Sequence, residues 1–179
     1  LLQLGDTYAG EPEPDWEKSY ACYDQLLRKY AERQKRDSKA PAPLLQHARF
    51  GLARALRYQK KFDEAAAILE DVVVKVPDGE NLNANALLQL GHVQYARGEL
   101  NKAREIFGRV GLLYEDQQTT PEALFWAGKS TVDAGEVLEG AKLWAMLIRD
   151  YPRSPWAELA DKELKNRGIV RDEKGNIKQ

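Results

Sequence analysis

The chain has 179 residues, 43% of them hydrophobic and 31% charged, and its 27 Lys and Arg against 28 Asp and Glu leave a net charge of −1. That length supports a domain with a sizeable core. The charge balance excludes a global electrostatic drive toward nucleic acid or membrane, and no apolar run approaches the roughly 20 residues of a membrane span.

The first segment, Leu1 to Ala9, carries Leu1, Leu4-Gly5 and Tyr8 and reads as the last turns of a helix. Its front is missing and the sequence starts at Leu rather than Met, so the expectation is an upstream segment that has been removed. Pro12 and Pro14 break it. Asp15 is placed as the N-cap of the next helix, whose apolar face is Trp16, Ser19, Tyr20, Tyr23, Leu26, Leu27 and Tyr30. Cys22, the one cysteine, excludes an internal disulfide and reads as a small buried residue rather than a nucleophile; so cysteine-poor a chain fits the cytosol or a periplasm. Arg28 to Lys39 is basic. It reads as a solvated helix end whose cations suit the helix dipole, with a nucleic-acid arm as the sharper alternative. Ala40-Pro41-Ala42-Pro43 follows as a long connection.

Leu44 to Tyr58 and Phe62 to Val76 form a helix pair, stopped by Pro77-Asp78-Gly79. Leu82 to Arg97 and Leu100 to Tyr114 form the next pair around Gly98. Glu115 to Thr120 is polar, with Thr120 placed as a cap before Pro121. Pro121 to Ala134 and Val137 to Asp150 make another pair around Gly135. Ser154 caps a last helix that Pro155 opens and Gly168 ends. Residues 168–179, with Gly175-Asn176, read as a mobile tail or an extended arm.

Self-similarity is the strongest signal. Ala53, Gly91 and Gly128 recur at intervals of 38 and 37 residues. Ala65, Ala103 and Gly140 each follow twelve residues later, then Leu69, Phe107 and Trp144 four further on, then Val72, Val110 and Leu147. Pro77 and Pro152 share one repeat position. In the first copy Gly5 is followed by Ser19 and Tyr23 after about two extra residues. One helix pair cannot bury both apolar faces, so it stacks on the next, and small residues let the backbones approach beside a large aromatic.

Leu90-Gly91, Gly98, Leu100, Ala103 and Phe107, together with Phe62, Ala65, Leu69 and Pro77, resemble the tetratricopeptide repeat. The resemblance covers about residues 1–152. It implies an all-α, right-handed α-solenoid of about four helix pairs (1–36, 43–77, 83–115 and 121–152) with a closing helix at 155–167, in a single domain 1–167. The intervals exceed the family's typical 34 residues. The run Tyr151-Pro152-Arg153-Ser154-Pro155-Trp156-Ala157-Glu158-Leu159-Ala160 is similar to a junction found in bacterial envelope repeat proteins, the outer-membrane assembly lipoproteins and the Tol-Pal coordinator. It implies the bacterial periplasm or cell envelope, with the cytoplasm as the alternative.

No catalytic or metal constellation is legible. His47 and His92 are the only histidines and stand far apart, Gly108-Arg109-Val110-Gly111 lies inside a helix without a following Lys-Ser/Thr, and acidic pairs sit at helix starts. The expectation is no enzyme and no cofactor. Carrying the repeat register over places His47, Phe50, Arg54, Arg57 and Tyr58 on the family's concave face. From the third repeat it adds Asn85, Leu88, Gln89, His92 and Tyr95, and from the fourth Glu122, Phe125, Trp126, Lys129 and Asp133. Arg54, Arg57, Asn85, His92 and Lys129 would form a mostly basic strip flanked by aromatics, suited to an acidic or carboxylate-bearing peptide. The function implied is a protein-binding scaffold in a bacterial envelope assembly, with no nucleic acid and no membrane insertion. The alternatives are a homo-oligomerisation module using aromatic faces such as Trp156, or a regulatory segment of a larger protein.

Overall fold

A computed structural model describes residues 1–39, 44–114, 118–172 and 177. The Ala/Pro connection at 40–43, the end of the third expected repeat at Glu115 and the Gly175-Asn176 pair lie outside the described residues. The described residues form helices α1 (Leu2–Gly10), α2 (Trp16–Arg36), α3 (Leu45–Tyr58), α4 (Phe62–Lys75), α5 (Asn81–Ala96), α6 (Leu100–Leu113), α7 (Thr119–Asp133), α8 (Val137–Asp150) and α9 (Pro155–Asn166). They contain no strand, and none of their helices is long and apolar enough to cross a membrane. The chain divides into two compact units, Leu1–Val93 and Gln94–Gln179, with the division inside α5.

Helix ends follow local chemistry. Asp15 caps α2 by accepting from the Lys18 N–H at 2.9 Å, and Arg33, Lys35 and Arg36 occupy its last turn, where cations favour the dipole. Ser154 Oγ accepts from the Trp156 N–H at 3.2 Å, and Pro155 opens α9. Thr120 is a correction. The helix begins at Thr119, two residues before Pro121, Thr120 is buried inside its first turn, and its hydroxyl donates to the Tyr114 carbonyl instead of accepting from a helix N–H.

Four helix C-termini close in one way. The N–H groups of Lys60, Gly98, Gly135 and Gly168 donate to Arg57, Tyr95, Val132 and Lys165. Those of Lys61, Glu99, Glu136 and Ile169 reach back to Leu56, Gln94, Thr131 and Leu164 at 2.9–3.1 Å. This double bond pattern needs a left-handed residue at the turn. Gly98, Gly135 and Gly168 supply it at φ 79, 95 and 66, but Lys60 adopts φ 62 with a side chain.

In the first unit, α1 packs on α2, α2 on α3 and α3 on α4, and α1 also touches α3. Tyr23 is the keystone at 1% exposure. A Cβ on Gly5 would stand 2.8 Å from its ring, and one on Gly51 would stand 2.3 Å away. Its hydroxyl donates to Asp6 Oδ1 at 2.6 Å, and Ser19 Oγ donates to the Gly5 carbonyl at 3.1 Å. Buried Asn83 closes the end of α4, its amide donating to the Val73 carbonyl at 3.0 Å and the Val76 carbonyl at 2.5 Å. Two of that helix's orphan acceptors are satisfied this way.

In the second unit α6 packs on α7, α7 on α8 and α8 on α9, and α7 also touches α9. Trp144 takes the place Tyr23 has in the first. It is fully buried, its indole N–H donates to the Phe125 carbonyl at 3.0 Å, and a Cβ on Gly128 would stand 2.6 Å from it. A Cβ on Gly140 would stand 2.6 Å from the Gly128 carbonyl oxygen, so α7 and α8 touch backbone to backbone there. The segment after Gly168 differs from a free tail in its described part. Arg171 and Ile177 form an antiparallel bridge, Arg171 pairs with Asp161 at 2.7 Å, and Ile169 and Ile177 pack against the α7–α9 core.

Candidate functional site

In the first unit the expected surface residues of α3, at positions 47, 50, 54, 57 and 58, fall on one face by helical spacing. His47 is exposed, Phe50, Arg54 and Arg57 are half-buried, and Tyr58 is 48% exposed. Trp16 enters from α2 and stacks on Tyr58, with ring centroids 3.9 Å apart and planes 8° from parallel. The Arg54 guanidinium lies 5.8 Å from the Trp16 ring and 5.8 Å from the Phe50 ring, and Arg57 lies 4.2 Å from the Tyr58 ring. Aromatic faces attract these cations and hold them in place. Arg49, one turn away, pairs with Asp71, whereas Arg54 has no carboxylate partner among the described residues. Burial, reinforced by the bond to Asp6, pushes the Tyr23 hydroxyl well above its ordinary range, and the nearby Arg54 charge opposes the rise.

The part of α5 in this unit brings less. Asn85 spends an amide hydrogen on the Asn81 carbonyl of its own helix at 2.8 Å. Gln89 and His92 are half-buried. Leu88 is buried and belongs to the core, not to an open surface.

In the second unit Tyr95, Trp126, Lys129 and Asp133 form one closed cluster. Tyr95 Oη donates to Asp133 Oδ2 at 2.5 Å, and Lys129 Nζ reaches both Asp133 oxygens at 2.7 Å. The Tyr95 and Trp126 rings meet edge to face at 5.1 Å. Burial pushes the Asp133 carboxyl up, but the hydrogen bonds from Lys129 and Tyr95 outweigh it and hold the group below the usual carboxylate range. The expectation that Lys129 adds positive charge to a basic strip is corrected here. Asp133, four residues on, neutralises it. Phe125 is corrected too. At 7% exposure it packs as core, its ring against those of Trp126, Trp144 and Trp156. Glu122 is half-buried at the start of α7.

Sequence reasoning missed Trp16, which it placed on the core face of α2. Its partner Tyr58 lies 42 residues away, and no local spacing announces that stack. The described residues hold no group of three or more His, Cys, Asp or Glu placed to bind a metal ion.

Residues 56–122 match the family model described as Tetratricopeptide repeat. No curated protein sequence matches the chain. The fold is similar to two crystal structures of the nearly identical TPR-like repeats ascribed to a kinesin light chain of Podosopora anserina, one of them a variant form. The variant superposes with a TM-score of 0.73 at 14% identity, covering 93% of this chain and 84% of that one. The other gives 0.72 at 14% identity, over 93% and 85%. At such identity the likeness shows the fold alone, an all-α array of helix pairs of the tetratricopeptide type.

Proposed function

We propose that the chain is a non-catalytic scaffold that binds an acidic protein or peptide segment at the Trp16–Phe50–Arg54–Arg57–Tyr58 surface of its first unit. Helix-pair repeats of this type generally serve protein–protein interaction, which supports the class. The observation that carries the site is the posture of Arg54. Its guanidinium lies over two rings, Trp16 and Phe50, and no carboxylate among the described residues meets its edge. A guanidinium held by its face keeps its in-plane N–H fork for a carboxylate, which it can grip with two parallel bonds. The Lys129 cluster supports the same choice by contrast, since its cation is already taken.

Fluorescence anisotropy with labelled peptides tests this. Peptides carrying Asp or Glu should bind, their neutralised Asn and Gln counterparts should bind at least tenfold more weakly, and binding should fall as salt rises. Arg54→Gln should remove the preference for acid without unfolding the chain. Equal affinity for acidic and neutralised peptides would refute the site. The setting we infer is a bacterial envelope assembly, on the support of the Tyr151–Ala160 junction. Fractionation of the native cells tests that part separately, and recovery in the cytosol would reject it.

A further inference from the structure

A hollow lies in the second unit between α6 and α8, with α7 as its floor. Arg104, Gly108, Gly111 and Leu112 line it from α6, Leu124 and Ala127 from α7, and Leu143 and Met146 from α8. Its volume is about 320 Å³, at the small end of the range for small-molecule sites, roughly 300–1,000 Å³. The α6 residues follow spacings of four, three and one, a single helical face distinct from the buried Ala103, Phe107 and Val110. The eight rises of about 1.5 Å from Arg104 to Leu112 make this wall about 12 Å long, so the hollow is a trough.

Gly108 has no explanation within the chain. It sits in the interior of a helix, where glycine lowers stability relative to alanine. Its φ is not positive, and a Cβ built on it would meet nothing within 4 Å. Neither backbone conformation nor packing calls for glycine there. Its effect is to keep the trough open. Leu112, at 86% exposure, leaves an aliphatic side chain standing at the same wall, and Leu143 and Met146 face it with flexible apolar chains that can mould to an occupant.

The charges around the trough decide the ligand's character. Arg104 turns its guanidinium to Glu136 at 2.7 Å, and Lys142, beside Leu143, pairs with Glu139 at 2.6 Å. These cations are paired within the chain, and apart from Arg104 the lining is apolar, with no carboxylate or amide among its residues. A charged head group would lose hydration on entry without gaining a partner. We infer that the α6–α7–α8 trough is a binding site for an uncharged aliphatic chain. The site is independent of the Arg54 surface.

Met146 is the only methionine in the chain, so protein labelled with 13C-methyl methionine carries a single reporter inside the trough. Titration with 1-octanol should shift its resonance saturably, and octanoate should bind at least tenfold more weakly. Gly108→Leu, which fills the trough, should abolish the shift in protein that remains folded by circular dichroism. The smaller Gly108→Ala should weaken it and guards against a leucine variant that fails to fold. Absence of a saturable shift in the wild type, an equal shift in both Gly108 variants, or octanoate binding as tightly as octanol would overturn the assignment. A resonance that moved with protein concentration rather than with octanol would make the trough a self-association surface and would also overturn it.

Discussion

Gly51 and Gly108 are both interior helix glycines, and the same substitution should move stability in opposite directions at the two. Alanine in place of glycine favours a helix interior by about 0.8–1 kcal/mol. At Gly108 nothing opposes that gain, since the new Cβ enters open space, so Gly108→Ala should stabilise by about 1 kcal/mol. At Gly51 the new Cβ would lie 2.3 Å from Tyr23 Cζ, 2.5 Å from Cε1 and 2.7 Å from Cε2. The ring cannot slide away freely, because Gly5 also lies against its Cε1 and Cζ atoms and Asp6 holds its hydroxyl. Overpacking of this kind costs about 1–3 kcal/mol. After the helix gain is subtracted, Gly51→Ala should destabilise by up to about 2 kcal/mol. Urea titration of the full chain by far-UV circular dichroism measures both as shifts in midpoint at constant slope. Tyr23→Leu should remove the conflict, so the double variant with Gly51→Ala should lose less than the sum of its parts. A rise in midpoint for Gly51→Ala, equal to that of Gly108→Ala, would refute the clamp on Tyr23.

Three further outcomes follow from the packing and the charges. Ala103 is fully buried, so Ala103→Trp should lower the urea midpoint by an amount equivalent to about 1–3 kcal/mol or more, and an unchanged midpoint would reject its packing role. Burial raises the Tyr23 pKa above its unfolded value of about 10. Its contribution is therefore complete below pH 10 and lost as pH rises further, and Tyr23→Phe should flatten that alkaline loss of stability. Asp133 has the opposite sign. Its lowered pKa means that its contribution is complete above about pH 4 and disappears as pH falls through the folded value. Asp133→Asn should flatten the acid limb, and an unaltered acid limb would show that the Lys129 and Tyr95 bonds do not matter to stability.

The repeat register was legible because it rests on size at fixed intervals. Gly5, Ser19 and Tyr23 in one unit and Gly128, Gly140 and Trp144 in the other play matching parts, and the sequence spacing alone aligned them even across two extra residues. The surface was less legible, because facing outward in a helical register does not settle whether a neighbour covers the side chain. Phe125 sits at a register position for an open face and is enclosed by three tryptophans. The Lys129–Asp133 pair was readable from its spacing of four. Its third member, Tyr95, lies 38 residues from Asp133, and the contact depends on how helices pack. Thr120 carries the residue type of a cap, but a buried hydroxyl takes the nearest carbonyl, here that of Tyr114.

The repeated helix closure turns four backbone amides into equivalent probes. The N–H groups of Lys61, Glu99, Glu136 and Ile169 are each held to a carbonyl five residues back, at 2.9, 2.9, 3.1 and 3.0 Å. Equal local geometry means that differences in their deuterium uptake report how readily each helix end opens, not how well each bond is made. Lys61 follows the turn where a side chain occupies the left-handed region, a conformation costing an ordinary residue about 1–2 kcal/mol. Its amide should exchange faster than that of Glu99, and Lys60→Gly should slow it. Four native amides would then chart the hierarchy of opening along the chain without the introduction of any label.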